Sequence, residues 1–197
     1  MATSEQIRIL REQTSAGVLD CKKALDMHNG DIEKAANWLR EKGLASAAKK
    51  TSREAHDGLI EAYAHMGGRM AVLVEVNCET DFVARTPEFK TLAHDLALQI
   101  ASTAPEYIKK EDVPSDIIAT RKEQYKQEAI GEGKKPEIAE RIAAGRMDKF
   151  YQEACLLEQP FVKDDKVKVA DLIKNTIASI GENVVVRRFV RYEIGGQ

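Results

Sequence analysis

The sequence has 197 residues, enough for one medium domain or two small ones, and its 43% hydrophobic content is ordinary for a globular chain. Its 30 Lys and Arg stand against 32 Asp and Glu, a net charge of −2, and neither the first 54 residues nor the rest concentrates positive charge as a phosphate-binding surface would. No apolar run approaches the ~20 residues that span a bilayer, and the opening MATSEQIRIL has no charged segment followed by an apolar one, so a cytoplasmic chain without a membrane partner is expected.

In chain order, Thr3 and Gln6 have the spacing of a capping box. Ile7 and Leu10 follow on one face, and Thr14-Ser15-Ala16-Gly17 reads as a stop, which predicts a first helix. A second runs from about Val18 to Met27, with Val18, Cys21, Ala24 and Leu25 on one side, and Asn29-Gly30 ends it as a left-handed cap. Asp31 caps a third, whose Ile32, Ala35, Ala36 and Leu39 fall at helical spacing and which Gly43 is expected to close. Trp38 lies one position off that stripe, as a half-buried ring would. These elements form a three-helix module resembling ubiquitin-associated domains.

From Leu44 to Gly58 the periodicity fades into small and charged residues, readable as a helical arm or a linker. The boundary is placed there, giving residues 1–54 as module plus linker and 55–197 as an α+β core domain. Beyond it the period becomes two. Leu59 to Met66 and Met70 to Cys78 alternate around Gly67-Gly68, the pair a tight hairpin favours because positive φ costs glycine nothing.

Thr86-Pro87 opens a strong helix with the stripe Phe89, Leu92, Ala93, Leu96 and Ile100. Further helices are expected at about 114 to 130, 136 to 153 and 168 to 180, the last stopped by Gly181. The run Lys163-Asp164-Asp165-Lys166 between them reads as a solvated loop. A final strand from about Asn183 to Ile194 completes a small three-stranded antiparallel sheet packed on helices. Val185 and Phe189 alternate with Val186 and Val190 along it, so both faces hold apolar side chains, and either the chain's own helices or a second copy in a homodimer must cover them.

The chemistry-bearing residues are few. Cys21, Cys78 and Cys155 form no C-x-x-C pair and are expected as reduced, packed thiols. The four histidines are scattered, with none near Cys or carboxylates at ligand spacing, so no metal site, cofactor or catalytic constellation is expected. Arg187, Arg188 and Arg191 are too few to imply direct nucleic-acid binding. The connection Glu79-Thr80-Asp81-Phe82-Val83-Ala84-Arg85 fits neither flanking element. Its Phe82 either folds back onto the core, which spacing alone favours, or projects as an anchor for a partner.

The unbroken run Glu75-Val76-Asn77-Cys78-Glu79-Thr80-Asp81-Phe82-Val83-Ala84-Arg85 resembles the central signature of the elongation factor Ts family. A second signature is similar from Leu10 to Leu25, where members often have Gly and two Met in place of Ser15, Val18 and Leu19. Glu158-Gln159-Pro160-Phe161-Val162 and Arg187-Arg188-Phe189 also match, so the resemblance covers essentially the whole chain, in the family's short bacterial form.

The resemblance implies a non-enzymatic guanine-nucleotide exchange factor for the translation GTPase elongation factor Tu. In it, Thr80, Asp81, Phe82 and Val83 intrude beside the partner's Mg²⁺ site, with Phe82 as the wedge and Asp81 supplying polar contacts. The N-terminal module offers a second contact through Leu10, Arg11, Val18 and Leu19, a partly exposed apolar patch with one cation. An adaptor built on the ubiquitin-associated-like module is the competing reading, and it has no need of the Thr80 to Val83 segment.

Overall fold

A computed structural model describes residues 2–14 and 16–196. Among the described residues, eight α-helices and five strands follow one another as α1 (Ser4–Thr14), α2 (Val18–Met27), α3 (Ile32–Lys50), β1 (Asp57–His65), β2 (Met70–Cys78), α4 (Asp81–Ala84), α5 (Pro87–Thr103), α6 (Ser115–Gly131), α7 (Pro136–Ala154), β3 (Pro160–Phe161), β4 (Asp164–Lys168), α8 (Val169–Ile180) and β5 (Val185–Glu193). Strands β1, β2 and β5 form a three-stranded antiparallel sheet with β2 central, so the class is α+β as the patterns indicate.

Two compact units can be distinguished. The first gathers the chain up to Ile60 with Glu75–Ala93 and Asp171–Arg187; the second gathers Glu61–Val74, His94–Ala170 and the chain from Arg188 onward. In the first unit the module forms as its sequence dictates. Thr3 N–H donates to Gln6 Oε1 at 2.9 Å and Gln6 N–H to Thr3 Oγ1 at 3.2 Å, the reciprocal capping box. Asn29 and Gly30 end α2 at φ 54° and 80°, and Asp31 accepts Lys34 N–H at 3.0 Å to cap α3. Leu10, Cys21, Ala24, Leu25, Ala35 and Leu39 make the buried core, with Trp38 partly buried against it. Ser15, within the expected stop of α1, lies outside the described residues.

Gly43 does not close α3, which runs on to Lys50. The residues after it, Leu44-Ala45-Ser46-Ala47-Ala48, are good helix formers, and a lone glycine costs only about 1 kcal/mol against alanine. Its small size serves packing instead: a Cβ at Gly43 would lie 3.1 Å from the Cβ of Ala178 on α8. Of the Leu44 to Gly58 segment read as arm or linker, the part up to Lys50 is therefore the last turns of α3, with Ala47 fully buried, residues 51–56 form the connection, and Asp57 and Gly58 already belong to β1.

The hairpin between β1 and β2 turns through Met66–Gly68, with Gly67 at φ 65° and Gly68 at φ 88°. On β2, Val72, Val74, Val76 and Cys78 are buried while Ala71 and Leu73 are exposed. The α5 stripe Phe89, Leu92, Ala93, Leu96 and Ile100 is buried throughout.

The second unit packs α6 against α7 around Val113, Met147, Phe150, Ala154 and Cys155. Here the structure corrects the reading of Lys163 to Lys166 as a loop. Asp164–Lys168 is a strand, paired antiparallel with Pro160–Phe161. Its side chains are mostly exposed and show no apolar alternation, so the sequence carries no strand signal. A buried side chain from α5 fixes β3 and the turn that leads into β4. Gln99 Oε1 accepts Val162 N–H at 2.8 Å, while its Nε2 donates to Pro160 O and to Gln159 Oε1 at 3.1 and 3.0 Å. Thr103 Oγ1 and the carbonyl of Glu153 satisfy the rest of Gln159.

Candidate partner-binding site

The signature begins where β2 ends. Cys78 is fully buried and its thiol donates to Thr80 O at 3.2 Å. Burial first, and the nearby Glu182 carboxylate second, push that thiol up to about 11, so it stays protonated at neutral pH and serves as packing rather than as a nucleophile. Thr80 then adopts extended angles, φ −135° and ψ 154°, as the cap of α4, with its Oγ1 accepting Val83 N–H at 3.5 Å. Thr86 caps α5 in the same manner, taking Phe89 N–H on Oγ1 at 3.3 Å and donating to Val83 O at 2.8 Å. The expected irregular connection is therefore a single helical turn, capped at its start and followed at once by the cap of the next helix.

That turn sorts its side chains. Ala84 is buried at 7% exposure, Asp81 and Val83 are intermediate, and Phe82 stands 78% exposed. Of the two possibilities that spacing leaves for Phe82, burial is thus excluded. Asp81 pairs with Arg85 at 2.7 Å across the turn, a surface ion pair contributing at most ~1 kcal/mol.

The support beneath the turn comes from residues that the sequence reading does not single out. Glu182, in the short connection between α8 and β5, accepts three donors on one carboxylate: Glu79 N–H at 3.1 Å and Thr80 N–H at 3.0 Å on Oε2, and the Thr80 hydroxyl at 2.7 Å on Oε1. The exchange is mutual. Glu79 Oε1 accepts Asn183 N–H at 2.7 Å and lies 3.5 Å from Arg53 Nη1. Asn183, 1% exposed, donates its side-chain amide to Arg53 O at 2.7 Å and to Thr51 O at 3.4 Å. Glu182 lies 102 residues from Thr80 in sequence and in no periodic stripe. A glycine stop followed by two polar residues before an apolar strand is the only trace it leaves.

On the module, Val18 is 50% and Leu19 82% exposed on the first turn of α2, and Arg11 is exposed near the end of α1. Leu10 is corrected: it is fully buried among Cys21, Ala24 and Leu25, because it supplies the α1 contribution to a core too small to spare a leucine.

A cleft of about 370 Å³ in the same unit is lined by polar groups including Gln13, Asp20, Arg40, Ser46 and Asn175, and none of residues 80–83 belongs to it. The signature is a projection, not a concavity. Among the described residues, no group of three or more His, Cys, Asp or Glu is placed to hold a metal, and no helix is long and apolar enough to cross a membrane.

The family model described as Elongation factor TS matches residues 25–196. The chain is 55% identical to Elongation factor Ts of Moorella thermoacetica, over 99% of this chain and 96% of that protein. It is 54% identical to the protein of that name from Carboxydothermus hydrogenoformans, over 99% of this chain and 90% of the relative. Against that of Thermoanaerobacter sp. the identity is 53%, over 99% and 96%.

Proposed function

The chain belongs to the elongation factor Ts family, and from that premise we propose that it is a guanine-nucleotide exchange factor for elongation factor Tu, acting in the cytoplasm during translation elongation. It makes and breaks no covalent bond. It binds the GDP-bound GTPase, and the Thr80-Asp81-Phe82-Val83 turn enters beside the partner's Mg²⁺ site. A GTPase holds its nucleotide through backbone amides, a lysine and a metal bridging phosphate oxygens, so dislodging the metal or the phosphate loop weakens binding. The coupling is reciprocal: the factor lowers nucleotide affinity by the same ratio as nucleotide lowers affinity for the factor.

The observation that carries this reading is Phe82, 78% exposed on a capped turn whose backbone is hydrogen-bonded from below. Burying a phenylalanine side chain stabilises by roughly 1.5–3 kcal/mol, a gain the free chain leaves unrealised and a partner pocket can take. Asp81 supplies polar contact beside it. Val18 and Leu19 with Arg11 give the module, residues 1–54, its own contact with the GTPase, while the core, 55–197, carries the wedge. A second copy of the chain, joined through the final strand, doubles the site.

The test is direct: load elongation factor Tu with a fluorescent GDP, add substoichiometric amounts of this chain, and follow release. Acceleration over many turnovers is expected. Release at the intrinsic rate with saturating chain would refute the reading.

A further inference from the structure

We propose that Glu182 is a positioning residue for nucleotide exchange: its carboxylate, held in the connection between α8 and β5, fixes the backbone of Glu79 and Thr80 and thereby sets the direction in which Phe82 is presented. This inference rests on the exchange reading given above. It starts from an imbalance. A four-residue helix makes too few internal hydrogen bonds to hold its own direction, since nucleation fixes several dihedral angles for the first bond. Within the turn, the capping bond from Val83 N–H to Thr80 Oγ1 is long at 3.5 Å. Yet the side chain it displays is an aromatic in solvent, which would gain by collapsing onto nearby apolar surface.

Glu182 supplies the missing constraint. Three donors converge on one carboxylate, two of them successive backbone amides, which fixes both the position and the tilt of the peptide planes entering α4. Bonds to an ionised acceptor are shorter and about twice as strong as neutral ones. The Thr80 hydroxyl is used on both sides, donating to Glu182 at 2.7 Å while accepting Val83 N–H, so the cap of α4 and the clamp share one oxygen. Glu182 is itself held, because its neighbour Asn183 is tied by its amide N–H to Glu79 Oε1 and by its side chain to the carbonyls of Arg53 and Thr51. The two carboxylates thus cap each other's segments, and neither Glu182 nor Asn183 need touch the GTPase.

The test uses the full chain and four variants: Glu182→Ala, Glu182→Gln, Phe82→Ala and the double Phe82→Ala/Glu182→Ala. Misplacing a positioned group by about 1 Å costs up to ~100-fold in rate, so Glu182→Ala is expected to lower the maximal GDP release rate by about tenfold or more. Glu182→Gln keeps one oxygen for the two amides and offers its NH₂ to the Thr80 hydroxyl, and it is expected to stay within about twofold of the unchanged chain. In the Phe82→Ala background, Glu182→Ala is expected to add almost nothing, because the group it positions is gone. Backbone amide hydrogen exchange reads the clamp without the GTPase. Glu79 and Thr80 should lose protection in Glu182→Ala and regain it in Glu182→Gln. A full tenfold loss in the Phe82→Ala background, or unchanged exchange protection, or unimpaired nucleotide release in Glu182→Ala, each overturns the proposal. An unchanged chain that fails to release nucleotide overturns the exchange reading itself, a result none of these resembles.

Discussion

Phe82 and Phe89 lie seven residues apart, and one is 78% exposed while the other is fully buried. Phe89 continues the α5 stripe; Phe82 is carried on a turn whose inward positions are taken by small Ala84 and intermediate Val83. Phe82→Ala should therefore change stability by no more than ~0.5 kcal/mol, as surface substitutions do, while greatly slowing exchange. Phe89→Ala should cost about 3–5 kcal/mol by leaving a core cavity. Denaturant titration of both beside GDP-release kinetics checks the contrast, and a stability loss of several kcal/mol for Phe82→Ala would contradict the exposed geometry. The buried thiols make a second residue-scale prediction. Cys78 and Cys155 are each pushed up to about 11 from 9.0, first by burial and then by Glu182 and Glu158 respectively. Below pH ~9 the thiols are protonated in folded and unfolded chains alike; above it the unfolded chain releases protons that the folded chain retains. Stability is thus undiminished below the lower value and falls as pH rises through the upper one. Replacing Cys78 with Ala should flatten that alkaline decline relative to the unchanged chain, measured as urea midpoints from pH 8 to 11. An identical slope would show that the thiol does not contribute.

Glycine 43 shows how an element can be misjudged from local signals and how its packing corrects the error. As a helix interior residue it weakens α3, yet a methyl group there would stand 3.1 Å from the Ala178 Cβ, too close without a shift of α8. Gly43→Ala gains about 1 kcal/mol in helix propensity and loses about 1–3 kcal/mol to overpacking, a net destabilisation expected near 1 kcal/mol. Ala178→Gly in the same chain should recover part of it, giving a coupling of about 1 kcal/mol in a double-mutant cycle; strict additivity would show that the two helices do not meet there. Helices α2, α5, α7 and α8 lie where they are expected because each buries an apolar stripe, and the physics that buries the stripe is the physics the pattern records; α6, expected at about 114 to 130 and found at Ser115–Gly131, lies as close to expectation although it fully buries only Ala129. Strand β4 carries no such stripe: its side chains are mostly exposed, and the buried Gln99 from α5 fixes only its partner β3 and the turn between them, at Pro160 and Val162. In the candidate site, the Thr80 to Val83 segment was legible through resemblance and the exposure of Phe82 was not legible from spacing. Glu182 was legible from neither, since a carboxylate that works by accepting amides more than a hundred residues away follows no local pattern.

At the scale of the whole molecule, the final strand keeps only part of its apolar surface buried. Alternation alone puts Val185 and Phe189 on one face and Val186 and Val190 on the other. In the fold Val186 is buried at 6%, Val185 is 38% exposed, and Phe189 and Val190 are intermediate. Tyr192 and Ile194 follow at 71% and 64% exposure. A strand carrying this much unburied aromatic and branched surface is what a symmetric contact would cover, and a two-fold axis would set the same residues of two copies against each other. The expected state is a homodimer that presents two Phe82 wedges and binds two GTPase molecules. β5 contains no cysteine, and Cys21, Cys78 and Cys155 are all buried, so such an association is expected to be non-covalent and indifferent to reductant. Val185→Asp, which places a charge on the exposed part of the strand without touching the buried Val186, should shift the population to single chains while leaving exchange per wedge intact. Light scattering after size exclusion over a dilution series, with and without reductant, reads the outcome. A mass equal to one chain at every concentration would refute the dimer, and a dimer that survives Val185→Asp would place its interface away from this strand.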